Sequence, residues 1–180
     1  VHAPPTLWEG RVYVGSCDGY AYCLDARTGG LAWRFRAAPH ERRIMQSMHL
    51  VSRWPLLGGV LVHDGAAYFT AGLFDIQGVH VYCLDARTGA VRWHHGDAGK
   101  GGGELEPSLT PGSFMAVFGA NLYVKERRGL EGRFDLRKGN MLPLPDYDRR
   151  PGNMNWADFS GVGREIAVLG DGFVLTGGRD

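Results

Sequence analysis

The stretch Tyr22-Cys23-Leu24-Asp25-Ala26-Arg27-Thr28-Gly29 occurs a second time, unchanged, as Tyr82-Cys83-Leu84-Asp85-Ala86-Arg87-Thr88-Gly89. The match runs on, because each closing glycine is followed four residues later by a tryptophan, Trp33 and Trp93. Upstream, Arg11-Val12-Tyr13-Val14-Gly15 parallels Ala66-Ala67-Tyr68-Phe69-Thr70. A third, degraded copy is Phe134-Asp135-Leu136-Arg137-Lys138-Gly139, with Pro143 at the tryptophan position. Asp25, Asp85 and Asp135 stand 60 and then 50 residues apart. A repeat of this kind is one supersecondary unit that buries its apolar face only against its neighbours.

Each copy reads as a meander of hairpins. Val12–Ser16 alternates and is rich in β-branched and aromatic residues, so it is a strand. Asp18-Gly19 then predicts a two-residue type I′ turn, because both residues tolerate positive φ. Tyr20–Leu24 returns as the next strand. Asp25 opens a turn in which its carboxylate bonds the backbone two residues on, and Gly29 supplies the left-handed residue that closes a bulged hairpin. Leu31–Phe35 follows, with Trp33 in its middle. The second copy repeats this order over Val60–His63, Ala67–Ala71, Val79–Leu84 and Val91–His94. The third offers Phe114–Val117, Leu122–Lys125 and Gly132–Leu136, and a last hairpin pairs Glu165–Leu169 with Phe173–Leu175.

Four short strands per unit, repeated with tight turns, is the pattern of an all-β propeller. A sandwich does not repeat an octapeptide, and a solenoid repeats at a shorter, stricter period. The units run roughly over 5–36, 56–97 and 112–145, with a partial unit at 163–180, within a single propeller segment. They exceed the usual blade length of about 40–45 residues, so loops are inserted between them. Three to four blades of four-stranded antiparallel sheet fall short of most closed rings. The chain is therefore expected to be a segment of a propeller with about six to eight blades.

Composition agrees. Of 180 residues, 28 are glycine, more than twice the usual share of about 7%, as frequent turns require. Lys plus Arg number 20 against 19 Asp plus Glu, so the basic excess of a nucleic-acid binder is missing. No secretory signal opens the chain and no apolar run reaches spanning length. Phe114–Val124, the longest candidate, is broken by Gly119 and Asn121. The three cysteines, Cys17, Cys23 and Cys83, imply no disulfide framework. Cys23 and Cys83 are read as small buried fillers in strands.

The Leu-Asp-Ala-Arg-Thr-Gly motif with its following Trp resembles the repeat of quinoprotein-type, or PQQ-like, propellers. These include pyrroloquinoline-quinone (PQQ) dehydrogenases, an outer-membrane assembly lipoprotein and large bacterial multi-blade members. The likeness is close over about residues 5–36 and 56–96 and thins from 112 to 180. It implies that the tryptophan docks one blade on the next while the Asp and Gly shape the turn. Those roles fall to Asp25, Gly29 and Trp33, and to Asp85, Gly89 and Trp93. It also implies a bacterial, extracytoplasmic (periplasmic) setting. The quinone enzymes of this family hold PQQ between a Trp and a ring of adjacent cysteines. They bind calcium through acidic and amide side chains and use a nearby Asp as base. This chain has no adjacent cysteines, and no Glu…Asn…Asp set matches position by position. No cofactor is expected on the chain itself; PQQ with calcium would belong to the full-length parent.

Other candidates are weaker. His94-His95, with His80 upstream, reads as a solvated strand end, because adjacent strand residues face opposite sides. His40, His49 and His63 lack metal spacing. Gly99–Glu104 lacks the order of a phosphate loop and reads as a connector. Glu41–His49 is the one expected short helix, lying where loops carry function. Arg53, Trp54 and Trp156 are loop residues suited to ligand contact, the tryptophans equally to filling gaps in the core. The acidic loop residues Asp75, Asp146 and Asp148 have no placement from sequence. The catalytic set is therefore unknown. The leading expectation is a non-catalytic scaffold whose loops bind a protein or small molecule on the propeller face. The alternative is part of a PQQ- and calcium-dependent alcohol or sugar dehydrogenase.

Overall fold

The computed structural model describes residues 3–46, 48–73, 78–96, 115–125, 131–143, 165–169 and 172–176. Every assigned element among them is a β-strand, and every pairing is antiparallel. The first blade is β1 (Thr6–Trp8), β2 (Arg11–Gly15), β3 (Tyr20–Asp25) and β4 (Leu31–Arg36), paired in that order. A hairpin follows, β5 (Arg43–Gln46) and β6 (His49–Ser52). The second blade is β7 (Leu61–His63), β8 (Ala66–Ala71), β9 (His80–Asp85) and β10 (Val91–His95). The third is β11 (Met115–Phe118), β12 (Asn121–Lys125), β13 (Glu131–Asp135) and β14 (Met141–Leu142). A last pair is β15 (Glu165–Leu169) with β16 (Gly172–Thr176). The first strands are neighbours: β1 lies beside β7, β7 beside β11 and β11 beside β15. This radial succession makes the chain a segment of a larger propeller.

Two expectations change. The helix over Glu41–His49 does not form; the segment is the β5–β6 hairpin, with Arg43 opposite Ser52 and Gln46 opposite His49. Its base is held by the Ser52 N–H donating to Cys17 O at 2.8 Å and the Arg53 N–H donating to Arg42 O at 2.8 Å. These tertiary bonds outweigh a helix preference that is small per residue. The Asp18-Gly19 turn is also not type I′, since Asp18 keeps a negative φ and only Gly19 (φ 90°) is left-handed. A three-residue loop forms instead, with the Gly19 N–H on Ser16 O and the Ser16 N–H on Tyr20 O. The paired positive φ of type I′ belongs to Glu9-Gly10 and Asp64-Gly65, which join the first and second strands of their blades. The short β1 had no strand reading in the sequence.

The core lies between blades. Tyr13, Ala21, Cys23 and Trp33 of blade one join Ala67, Phe69, Tyr82 and Leu84 of blade two in one buried cluster. Ala66, Tyr68, Cys83 and Trp93 join Leu122, Val124 and Phe134 of blade three in a second. Cys23 and Cys83 are both buried and unpaired. Burial pushes the Cys83 thiol up to about 11, so it stays protonated at neutral pH and fills space.

Candidate functional site

The repeat motif builds the same turn each time. Asp85 Oδ1 accepts the N–H of Arg87 at 3.1 Å, the N–H of Thr88 at 2.9 Å and the Thr88 hydroxyl at 2.9 Å. Asp25 makes the matching three bonds at 3.1, 2.7 and 2.8 Å. Asp135 keeps the two backbone bonds, to Arg137 and Lys138. Accepting several donors favours the ionised carboxylate. Asp85 is held well below the usual carboxylate range, first by the Arg92 guanidinium at 2.8 Å and then by Thr88. Gly29 (φ 71°) and Gly89 (φ 74°) close their turns in the left-handed region.

Each tryptophan then reaches the turn of the following blade. Trp33 Nε1 donates to Ala86 O at 3.0 Å, and Trp93 Nε1 donates to Leu136 O at 2.8 Å. The indole lies on the glycine that ends the turn. A Cβ built on Gly89 would meet Trp33 at 2.9 Å, and one on Gly139 would meet Trp93 at 2.4 Å. A bulge in each outer strand, between Leu31 and Trp33 and between Val91 and Trp93, aims the ring there. Around the first junction, the Tyr13 hydroxyl also donates to Ala86 O at 3.1 Å. Arg11 donates to Arg87 O at 2.7 Å, and Glu9 pairs with Arg87. These contacts are structural.

Two further features stand apart from this frame. The β5–β6 hairpin buries Val51 and Ser52 at its base but leaves Met45 71%, Met48 93% and Leu50 60% exposed. Met45 and Leu50 are directly paired, so they share one face. Met48, in the connecting turn, has φ 66°, a conformation that costs a non-glycine residue about 1–2 kcal/mol.

The second feature is an aromatic and imidazole cluster around Trp54. Trp54 is 6% exposed and part of the core. Arg53 lies over the Trp54 ring at 5.4 Å, and His40 and His80 approach that ring edge-on. The sequence reading missed what sits behind it. His80 is buried and its Nδ1 lies 3.1 Å from Nε2 of His94. The His94 ring stacks on Tyr82 at 4.2 Å and 6°. His95 turns to the other side, against Phe134. The repeat held the signal. Cys23 pairs with Trp33, and carrying that register to Cys83 and Trp93 sets His94 opposite Tyr82, with His80 two residues away on the same face. Trp156, Asp75, Asp146, Asp148 and the Gly99–Glu104 loop lie outside the described residues. Among the described residues no three His, Cys, Asp or Glu side chains group as a metal site, and no helix is long and apolar enough to cross a membrane.

The profile of a PQQ-type repeat family, described as "Outer membrane protein assembly factor BamB", matches residues 1–142. The chain belongs to this family. As a PQQ-type propeller it also resembles curated alcohol dehydrogenase (quinone) dehydrogenase subunits. It is 36% identical over 96 residues to that of Gluconacetobacter polyoxogenes, covering 52% of this chain and 12% of the relative. It is 37% identical over 89 residues to that of Gluconobacter oxydans, covering 48% and 11%. The chain thus spans about an eighth of these relatives' length. Among solved structures, BamB from Moraxella catarrhalis aligns with TM-score 0.54 and 19% identity, over 78% of this chain and 37% of that one. Quinohemoprotein alcohol dehydrogenase ADHIIG from Pseudomonas putida HK5 aligns with TM-score 0.56 and 18% identity, over 77% and 25%. At that identity the structural likeness speaks for the fold.

Proposed function

We propose that this PQQ-type segment belongs to a non-catalytic propeller scaffold that presents its inter-blade insertions to another protein, outside the bacterial cytoplasm. The observation that carries the reading is the β5–β6 hairpin: its base is pinned to blade one, its tip carries Met45, Met48 and Leu50 in the open, and Met48 is held in a strained conformation. Strain kept at an exposed tip is a reason to look for function there. Flexible Met side chains adapt to apolar partner surfaces. The family description, an outer-membrane assembly factor, supports a protein partner and an extracytoplasmic setting.

The test places photo-crosslinking residues at 45, 48 and 50 of the full-length protein in its own cell. The reading expects a discrete adduct with one partner at all three positions. It also expects that adduct, captured from a fourth position at 43, to vanish when Met45, Met48 and Leu50 become Ser together. Because the three side chains are exposed, the unfolding free energy should stay unchanged within about 0.5 kcal/mol. Crosslinks no denser at the hairpin than at the exposed Leu31 would overturn the reading.

The curated quinone dehydrogenase relatives favour a second reading, in which the parent binds PQQ and calcium and oxidises an alcohol or sugar. The hollow between the starts of the inner strands, about 180 Å³, is lined mainly by apolar groups, among them Ala3, Pro4, Val60, Leu61 and Met115. That lining offers no cation for the quinone carboxylates. Trp33 and Trp93 are engaged at blade junctions. Titrating the full-length protein with PQQ and Ca²⁺ separates the two readings, since saturable, calcium-dependent quenching of tryptophan fluorescence belongs only to the second.

A further inference from the structure

We propose that His80 and His94 form a two-imidazole binding site for a late first-row divalent cation, Cu²⁺ or Zn²⁺. The site is independent of the hairpin. His80 opens β9, and His94 lies on β10 opposite Tyr82, so both imidazoles stand on one face of blade two. Their facing nitrogens are 3.1 Å apart. Zinc–imidazole bonds are about 2.0–2.1 Å long, and two of them place the nitrogens about 3.4 Å apart at a tetrahedral angle. At the right angle of a tetragonal copper site the separation is about 2.9 Å. The observed spacing falls between these, so it suits two bonds to one cation once the ring nitrogens turn from facing each other toward the ion.

The rings are also held before any ion arrives. His94 lies flat on Tyr82. Tyr82 is itself fixed, with its hydroxyl donating to Ala37 O at 2.9 Å and its ring packed on Phe69 and Phe35. His80 is wedged beside Trp54 and Tyr82. Little side-chain entropy is then left to lose on binding. His94 is exposed and gives the ion a way in. Gly96 lies beside the pair, where a Cβ would come within 3.2 Å of His94 Cε1 and 3.4 Å of His80 Nδ1. A side chain at that position would crowd the two nitrogens.

The proton balance closes. The two nitrogens share one hydrogen, carried by one ring or the other. For both to present lone pairs, the donor ring adopts its other neutral tautomer, and solvent moves the proton from the inner nitrogen to the outer one. Water completes the coordination. Imidazole suits copper and zinc, whereas calcium takes oxygen ligands, so this site differs in kind from a quinone–calcium site.

The experiment is isothermal titration of the metal-stripped full-length protein with Zn²⁺ and, separately, Cu²⁺. The expected result is one ion per chain, not displaced by millimolar Ca²⁺. His94→Gln should weaken binding at least about a hundredfold, since losing even an outer-shell partner costs about 10–100-fold. His95→Gln, on the opposite face, should leave affinity unchanged. Cu²⁺ should also quench part of the tryptophan emission in wild type but not in His94→Gln, because Trp54 is 6.5 Å from His80. The exposed His94 can be replaced without loss of fold, which the melting curve checks. No saturable binding to wild type would mean that the pair only shares a proton. Wild-type affinity in His94→Gln would place the ion elsewhere. Either result overturns the proposal.

Discussion

Gly29 and Gly89 occupy the same position of the same octapeptide, with φ of 71° and 74°. They differ in what lies above them. A Cβ on Gly29 meets nothing within 4 Å, while one on Gly89 meets Trp33 Cδ2 and Cγ at 2.9 Å. In this 180-residue segment, where no preceding blade covers that turn, alanine at Gly29 therefore costs only the left-handed backbone, about 1–2 kcal/mol. Alanine at Gly89 costs that and must also move the indole. The ring has no easy retreat, being hydrogen-bonded to Ala86 O at 3.0 Å and packed on Tyr13 at a centroid distance of 6.0 Å. Overpacking of this kind adds about 1–3 kcal/mol, for a total of about 2–5 kcal/mol at Gly89. Alanine also restricts the unfolded chain, but equally at both glycines, so the term cancels in the difference. Gly139→Ala should cost at least as much as Gly89→Ala, since its Cβ would fall 2.4 Å from Trp93. Urea unfolding of this 180-residue segment, followed by tryptophan fluorescence, measures all three. The expected order is Gly29→Ala mildest, then Gly89→Ala, then Gly139→Ala, with the first two separated by about 1 kcal/mol or more. Equal losses at Gly29 and Gly89, within about 0.3 kcal/mol, would refute the docking of Trp33 on the second blade's turn.

The Asp85 carboxyl is held below its unfolded value by Arg92 and Thr88, so its stabilisation is complete above about pH 4 and is lost as pH falls toward the folded value. Asp85→Asn should flatten the fall of the urea midpoint below that pH while lowering the midpoint at neutrality; an unchanged acid slope would remove Asp85 from the account. Met48→Gly should stabilise the chain by up to about 1 kcal/mol, because glycine relieves a φ of 66° at a side chain that is 93% exposed. A raised melting temperature checks it, and a lowered one would show that Met48 makes contacts in the folded state that its exposure does not reveal.

What the sequence made legible follows from what the repeat encodes. A residue kept in both copies, such as Asp25 and Asp85 or Trp33 and Trp93, marks a contact that both of these blades make, so blade order and turn chemistry could be read directly. Insertions are not repeated and carry no such internal check. Glu41–His49 is rich in good helix formers, and its hairpin depends on long-range bonds such as Ser52 N–H to Cys17 O, which no local pattern announces. The turn at Met48 lacks the Gly or Asn that usually signals such a hairpin. His80 and His94 were missed for a different reason. They are 14 residues apart in sequence, and only the pairing register brings them together. The alternation rule applied to His94 and His95 was sound, and His95 does face the third blade, but it says nothing about a partner one strand away.

Within this segment the two identical octapeptides differ in burial because only the second has a preceding blade in the given sequence. Ala86 is fully buried because Trp33 and Tyr13 both bond its carbonyl. Its counterpart Ala26 is exposed, and so is Gly29. The turn geometry is nevertheless the same, with three bonds to Asp25 matching three to Asp85. The turn is thus formed locally and does not need the indole. Docking acts on a preformed surface, which lowers its conformational cost. The order of dependence runs one way: the Asp and Gly make the receptor, and the Trp of the preceding blade uses it. At Pro143 the donor is lost while the following β15 still lies beside β11. The described inner strands of the last two units are thus in contact without a tryptophan at position 143, and the tryptophan junction is an added clamp between the outer strands of the first three.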